Sequence, residues 1–228
     1  MNEIRVVPVS GVPEVRAGDD LGALLVSATA SLPLQDGDVL VVTQKVVSKA
    51  EGRVVPEEER PAALAAEAKR VLRKSGEMVI AETAHGFVCA NAGIDTSNVP
   101  GSDVVLLPLD PDASARRIRS RVAALAGVDV AVVVSDTFGR AWRLGQTDVA
   151  IGVAGIDPFV DYRGTTDAQG RTLAATRICV ADELAGAAEM VTGKAEGVCA
   201  AVIRGARTVR GRGAATQIVR PPSEDLFR

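Results

Sequence analysis

Three short stretches of this 228-residue chain hold residue types that could run chemistry. The first is DVLVVTQKVVSKAEGRVV (38–55), where an apolar run ends at Thr43 and is succeeded by Gln44, Lys45, Ser48 and Lys49. A lysine beside a hydroxyl can serve as a point charge for a phosphate, and strand ends are where α/β proteins collect functional side chains. The competing reading is a solvated helix start, with Lys45 and Lys49 one turn apart. The second stretch, NAGIDTSNVPGSD (91–103), is rich in turn formers and is a plain loop by default. Yet Asp95 and Asn98 offer a carboxylate and an amide in a compact space. In the third, DVAVVVSDTFGRAWRLGQTD (129–148), a wholly apolar run delivers Asp136 and Thr137, with Arg140 and Arg143 close behind. Paired hard oxygens suit Mg²⁺ or Mn²⁺, and the arginines could neutralise phosphate oxygens or grip a carboxylate. The alternative for Asp136 or Thr137 is a helix N-cap.

Composition narrows the chemistry. Lys and Arg number 26 against 29 Asp and Glu, for a formal charge of -3, which argues against a protein that lives on a phosphate backbone. One Trp and one Tyr leave few platforms for stacking bases. The solitary His85 excludes sites that need two histidines, and beside Gly86 it reads as a turn or partly buried residue. Cys89, Cys179 and Cys199 are widely spaced in apolar surroundings, so they read as small buried hydrophobes in a reducing cytoplasm. Neither a secretory leader nor an apolar run of about 20 residues is expected, which sets membranes aside. There is no G-x-x-x-x-G-K-S/T and no strand leading into G-x-G-x-x-G, so a bound nucleotide would need a nonstandard cradle.

The elements that must position these residues are read from apolar periodicity. Continuous β-branched runs predict strands at 4–9, 38–43, 77–82, 86–90, 103–108, 129–135 and 198–204, the buried ones covered on both faces. Helices are expected over 20–30, 57–74, 112–126 and 181–192. The second rests on Leu64, Ala65, Ala68, Val71 and Leu72 recurring at helical spacing. Asp110-Pro111-Asp112 and Asp182-Glu183 suit helix N-termini. The run Arg116, Arg117, Arg119 and Arg121 reads as a solvated face or subunit contact. From 139 to 172, Gly, Arg, Asp and Thr crowd out periodicity, which predicts a loop-rich insertion with a small hairpin or two. The whole is a mixed α/β (α+β) chain forming one domain over 1–228, and not a simple doubly wound sheet.

Five blocks in order, VVSKAEGR, NAGIDTSNV, LPLDPDASA, DTFGRAWRLGQTDVAIG and CVADELA, resemble the coenzyme F420:L-glutamate ligase family (F420-0:γ-glutamyl ligase) over residues 4–226. The resemblance implies an unusual two-lobed fold forming an intertwined homodimer. It implies GTP-dependent amide-bond formation with two divalent ions, Mg²⁺ or Mn²⁺, helped by K⁺. It places Val12, Pro13, Glu14, Val15, Gln44, Lys49 and Asn98 at guanine-nucleotide positions, and Asp95, Asp136 and Thr137 at metal-ligand positions. Gln44 departs from the family, some members having Ser there. In some relatives a flavin-binding domain succeeds the ligase domain, so the chain reads as either a stand-alone form or the N-terminal half of a longer one.

The expected reaction adds L-glutamate to coenzyme F420-0 through an acyl phosphate. Lys49 would steady the GTP phosphates, and Arg140 and Arg143 would meet the acidic substrate. A metal-dependent phosphohydrolase and a non-catalytic GTP-binding module are the alternatives.

Overall fold

A computed structural model describes residues 3–98 and 101–226. The chain opens with β1 (Arg5–Pro8), α1 (Leu21–Ala28), β2 (Val39–Thr43), α2 (Gln44–Ala50) and β3 (Val54–Pro56). Then come α3 (Arg60–Glu67), β4 (Ala68–Ser75), β5 (Met78–Thr83), β6 (Val88–Ala90), β7 (Asp103–Val105) and α4 (Pro111–Ala126). The last third holds β8 (Ala131–Arg140), β9 (Arg143–Ala154), β10 (Val160–Asp161), β11 (Arg177–Ile178), α5 (Val180–Thr192) and β12 (Ala200–Arg204).

A five-stranded sheet, ordered β1-β12-β2-β8-β9, forms the centre. Its core pair, β2 and β8, is parallel, and the remaining pairs are antiparallel. The Val-rich runs of these strands are explained by cover on both sides. Leu40, Val42, Val132, Val134 and Val202 face α1 and α4, packing on Leu25, Ile118 and Val122. Their neighbours Val39, Val41, Val133 and Ile203 face α5, packing on Ala181, Leu184 and Ala185. Each fully buried side chain of this size contributes about 1.5–3 kcal/mol, so a strand apolar on both faces is well anchored.

The helices are cut by local chemistry. α4 starts where the Asp110 carboxylate accepts the Ala113 N–H at 2.8 Å and Pro111 occupies the first turn. It stops at Gly127, whose φ of 70° an L-residue with a side chain resists. Asp112 turns inward. Its buried carboxylate accepts the backbone N–H groups of Val153 at 2.8 Å and Ala215 at 2.7 Å, tying α4 to β9 and to the C-terminal segment. Gly152 permits this approach, because a Cβ there would collide with the Pro111 carbonyl. All four arginines of α4 are paired: Arg116 with Asp110, Arg117 with Glu51, Arg119 with Asp129 and Arg121 with Asp20.

A second, smaller sheet, β4-β5-β6, departs from expectation. The helix read over 57–74 ends at Glu67; from Ala68 the chain is β4, antiparallel to β5. Leu64 and Ala68 do pack inward against Val79, Ala81 and Ala92, which is the half of the apolar pattern that holds. Val71, however, is 46% exposed, so burial does not reward a helical face there. Cross-strand pairing of Lys69 and Arg70 with Glu82 favours the strand instead.

The stretch 139–172 also differs. Residues 143–154 extend the central sheet as β9, antiparallel to β8 along its whole length. Its first half, Arg143 to Thr147, is largely solvent-exposed and therefore polar, which hides the strand from a reading based on apolar alternation. Only beyond Ala154 does the region become loop-rich, with β10 pairing β11. The fold is thus mixed α/β and not doubly wound. Among the described residues, no helix is long and apolar enough to cross a membrane.

Candidate active site

Because β2 and β8 are parallel neighbours, in register from Val39↔Ala131 to Thr43↔Ser135, their C-terminal ends lie side by side. The segments leaving those two ends therefore meet at one place, as expected for the carboxyl edge of parallel strands. After β2 the chain enters α2 directly at Gln44. β8 instead continues five residues past Ser135, with a register shift between Val134 and Ser135 where β9 gains a residue. Such bulges re-aim side chains. Asp136 and Thr137 consequently lie within an antiparallel ribbon, and the helix N-cap considered for them does not occur.

The result is a cleft of about 870 Å³. Its walls bring together Val12, Pro13, Glu14, Val15, Gln44, Lys49, Asp95, Asn98, Asp136 and Thr137, every nucleotide and metal position expected from the sequence. Arg140 and Arg143 are not in the lining. They sit at the exposed turn of the β8–β9 ribbon, where Arg140 donates to the Leu144 carbonyl at 2.5 Å. Val99 and Pro100, in the same loop as Asn98, lie outside the described residues.

Carboxylates and three lysines dominate the cleft. Lys45 forms an ion pair with Asp95 at 2.9 Å and donates to the Ser97 hydroxyl at 2.6 Å. Lys49, only 8% exposed, holds Glu14 at 2.5 Å and donates to the Asn98 carbonyl at 3.0 Å. These two lysines are therefore bound into the cleft wall and do not form a solvated helix face.

Asp148 and Lys194 were not singled out in the sequence. Asp148 sits on β9 opposite Thr137, is 4% exposed, and accepts the Thr137 hydroxyl at 2.6 Å. Lys194, in the loop after α5, donates to Thr137 Oγ1 at 2.7 Å and to Asp148 Oδ1 at 2.9 Å. Nothing in the local pattern around residue 148 marks a buried acid; only its cross-strand place beside Thr137 does.

Electrostatics separate the acids. Asp95 is held below the usual carboxylate range: burial alone would raise it, but Lys45 and the Ser97 N–H outweigh that. Asp136 goes the other way. Burial pushes it up to about 7, and the nearby charges of Asp95 and Asp148 add to the rise. Among the described residues no lysine or arginine forms an ion pair with Asp136, whose carboxylate accepts the Thr137 N–H at 2.8 Å. The cysteines carry no comparable reactivity. Burial raises Cys89 and Cys179 to about 12 and Cys199 to about 11, so all three are neutral thiols. His85 lies outside the cleft lining, stacked on Phe87, with its Nε2 at hydrogen-bond distance from the Pro108 and Leu109 carbonyls.

The loop carrying Asp95 and Asn98 is set by unusual backbone. Asn91, Ala92 and Gly93 have φ of 52°, 53° and 77°, three consecutive left-handed residues. Such strain is held by packing and clusters at functional sites. Here Ala92 is buried, the Asn91 side chain accepts the Val79 N–H at 3.1 Å, and a Cβ on Gly93 would strike Leu107. The turn redirects the chain from β6 toward the cleft.

The sequence profile of the F420-0:gamma-glutamyl ligase family matches residues 11–205 of the chain. The chain belongs to that family. It is 41% identical to the coenzyme F420:L-glutamate ligase of Methanothermobacter thermautotrophicus, over 99% of both proteins. A protein of the same name from Methanopyrus kandleri is 41% identical over 99% of this chain and 98% of the relative. The relative from Methanocaldococcus jannaschii is 36% identical over 100% of this chain and 99% of its own length. As a member of the F420-0:gamma-glutamyl ligase family the chain is an enzyme, a ligase that forms carbon–nitrogen bonds.

Proposed function

We propose that this chain is a GTP-dependent ligase that joins L-glutamate to coenzyme F420-0. The observation that carries this reading is the convergence of Asp95, Asp136, Asp148, Lys45, Lys49 and Lys194 in one cleft at the carboxyl edge of the β2–β8 pair. The glutamate-adding role named for the family's relatives supports it.

The donor set fits a divalent metal. Asp136 is a half-buried carboxylate with like charges beside it and no ion-pair partner among the described residues, and Asp95 and Thr137 supply further hard oxygens. Among the described residues no three His, Cys, Asp or Glu side chains form a closed cage. Mg²⁺ or Mn²⁺ bound at these oxygens would keep waters and complete its shell with substrate phosphates. Asp95, Asp136 and Thr137 would hold the metal, which when bound neutralises charge on the transferring phosphoryl group.

In the proposed sequence a carboxylate oxygen of F420-0 attacks the γ-phosphorus of GTP and GDP leaves. The glutamate amine then attacks the acyl carbon, the bond from that carbon to the phosphate oxygen breaks, phosphate leaves with the electron pair, and the amine proton is lost to solvent. The chain's own work is positioning and charge. Lys49, released from Glu14, is within the cleft to meet phosphate oxygens. Among the described residues the buried Gln44 has no partner for its Nε2, a donor for an acceptor on the nucleotide. The Val12–Val15 segment closes one wall. Phosphoryl transfer asks for little covalent help, so the exclusion of His85 and the thiols costs nothing. We assign Arg140 and Arg143 to contacts made at the ribbon turn, with the acidic substrate or with the second subunit of a homodimer.

The test is direct. The protein is incubated with GTP, Mg²⁺ or Mn²⁺, L-glutamate and F420-0, with and without K⁺, and product mass is read. One added glutamate per discrete mass step is expected. GTP hydrolysis that proceeds equally without either acceptor would replace this reading with a phosphohydrolase. GTP binding with no turnover under any combination would leave a binding module.

A further inference from the structure

Lys194 is unlike the other cleft cations. Its ammonium caps a pair of oxygens, Thr137 Oγ1 at 2.7 Å and Asp148 Oδ1 at 2.9 Å, which are themselves hydrogen-bonded at 2.6 Å. Both oxygens belong to the hard-donor class, and Asp148 is almost wholly buried. A buried carboxylate must either keep its proton or be met by a cation, and at Asp148 the Lys194 ammonium meets it. The lysine backbone is also held in place, since its carbonyl accepts the Asn98 side-chain N–H at 3.1 Å. Asn98 belongs to the loop that presents Asp95, so the two ends of the cleft are coupled through this contact.

The cleft charges can be paired. Lys45 answers Asp95, Lys49 answers Glu14, and Lys194 answers Asp148 at 2.9 Å and Glu189 at 3.7 Å, which leaves Asp136 with no ion-pair partner among the described residues. An Mg²⁺ ion coordinated by Thr137 and Asp148 would need their oxygens at about 2.0–2.1 Å. It would then stand against an ammonium already within hydrogen-bond distance of both, and like charges so close repel strongly in a partly buried cleft.

We propose that in this chain the Lys194 ammonium takes the place of one of two divalent ions, so that a single Mg²⁺ or Mn²⁺ beside Asp136, with Thr137 bonded to Lys194 and not to the metal, completes the phosphate-handling charge. This rests on the metal-dependent reading above. It also specifies that reading: one metal per chain, with Lys194 as the resident second cation.

The experiment counts ions, independently of turnover. Mn²⁺ bound per chain is measured by equilibrium dialysis with saturating β,γ-imido-GTP on both sides, for the unaltered protein, Lys194→Glu and Lys194→Arg. Thermal melting checks that each variant is folded; the lysine side chain is 55% exposed, so its exchange spares the core. The expected counts are one ion for the unaltered protein, one for Lys194→Arg and two for Lys194→Glu. Two ions in the unaltered protein would overturn the inference and leave the metal-dependent reading intact. A folded Lys194→Glu that still binds one ion would overturn it as well. No Mn²⁺ in any of the three would defeat the metal-dependent reading and this inference together.

Discussion

The two larger sheets of this protein are built on opposite terms. The five-stranded sheet is covered on both faces, by α1 and α4 on one side and α5 on the other. The three-stranded sheet is covered on one face only, by Leu64 and Ala92; it exposes Met78 and Val88 on the other, and Val71 at its edge strand is exposed as well. The cleft draws on both. Asp136, Thr137 and Asp148 come from the doubly covered sheet, whereas Asp95 and Asn98 come from the loop that leaves the smaller one. Rigid strands thus hold the buried acids, and a strained turn supplies the remainder.

That contrast can be broken experimentally. The largest effect is expected on chemistry: Asp136→Asn should lower amide formation by about 1000-fold, as loss of several kcal/mol of charge stabilisation would. Asp95→Asn should cost less, because its charge is already answered by Lys45. Equal losses in steady-state assays would remove the distinction between strand-held and loop-held acids. The same Asp136 variant reports on burial. Its carboxyl, raised to about 7 in the folded chain against an ordinary value near 4, retains its proton where the unfolded chain has lost it. With metal chelated, this group's contribution to stability should therefore be full below about pH 4 and decline as pH rises through 7. Asp136→Asn should flatten that decline in denaturant titrations, and an unchanged slope would contradict the burial argument.

Next in size is the doubly covered sheet itself. Leu40 is fully buried between β12 and β8, so Leu40→Ala is expected to cost about 2–5 kcal/mol by chemical denaturation. A loss under about 1 kcal/mol would mean that the sheet collapses around the cavity. Asp112→Ala should cost about 1–3 kcal/mol, since it strands buried N–H groups on β9 and the C-terminal segment. Hydrogen exchange at Val153 and Ala215 would show whether these amides are the ones released. The smallest effect belongs to the half-covered sheet: Val71→Thr should fall within about 0.5 kcal/mol of the parent. A larger loss would show that this face is covered in solution, as the proposed homodimer would allow.

The same contrast explains what could be read in advance. Strands covered on both faces must be apolar at every position, and β2, β8 and β12 stand out as Val-rich runs that begin within one or two residues of their observed starts. β4 offers no such run. Its sequence AKRVLRKS comes after a truly helical segment and prolongs the same three-to-four spacing, so the change of period at Ala68 is invisible locally. β9 is hidden for a related reason, its exposed half being polar because it projects from the sheet.

For the site, residue types and order along the chain already pointed to hard oxygens and lysines, and not to histidine or thiol, as the groups available for chemistry. Family membership was legible in the ordered blocks for the same reason. Tertiary structure alone decided which of those residues meet. Parallel pairing of β2 with β8 brings Lys49 and Asp136 into one cleft; antiparallel pairing of β9 sets Asp148 opposite Thr137, and the loop after α5 lays Lys194 across both. Lys194 and Thr137 stand 57 positions apart in the chain, a separation over which local pattern carries no information and only strand register does.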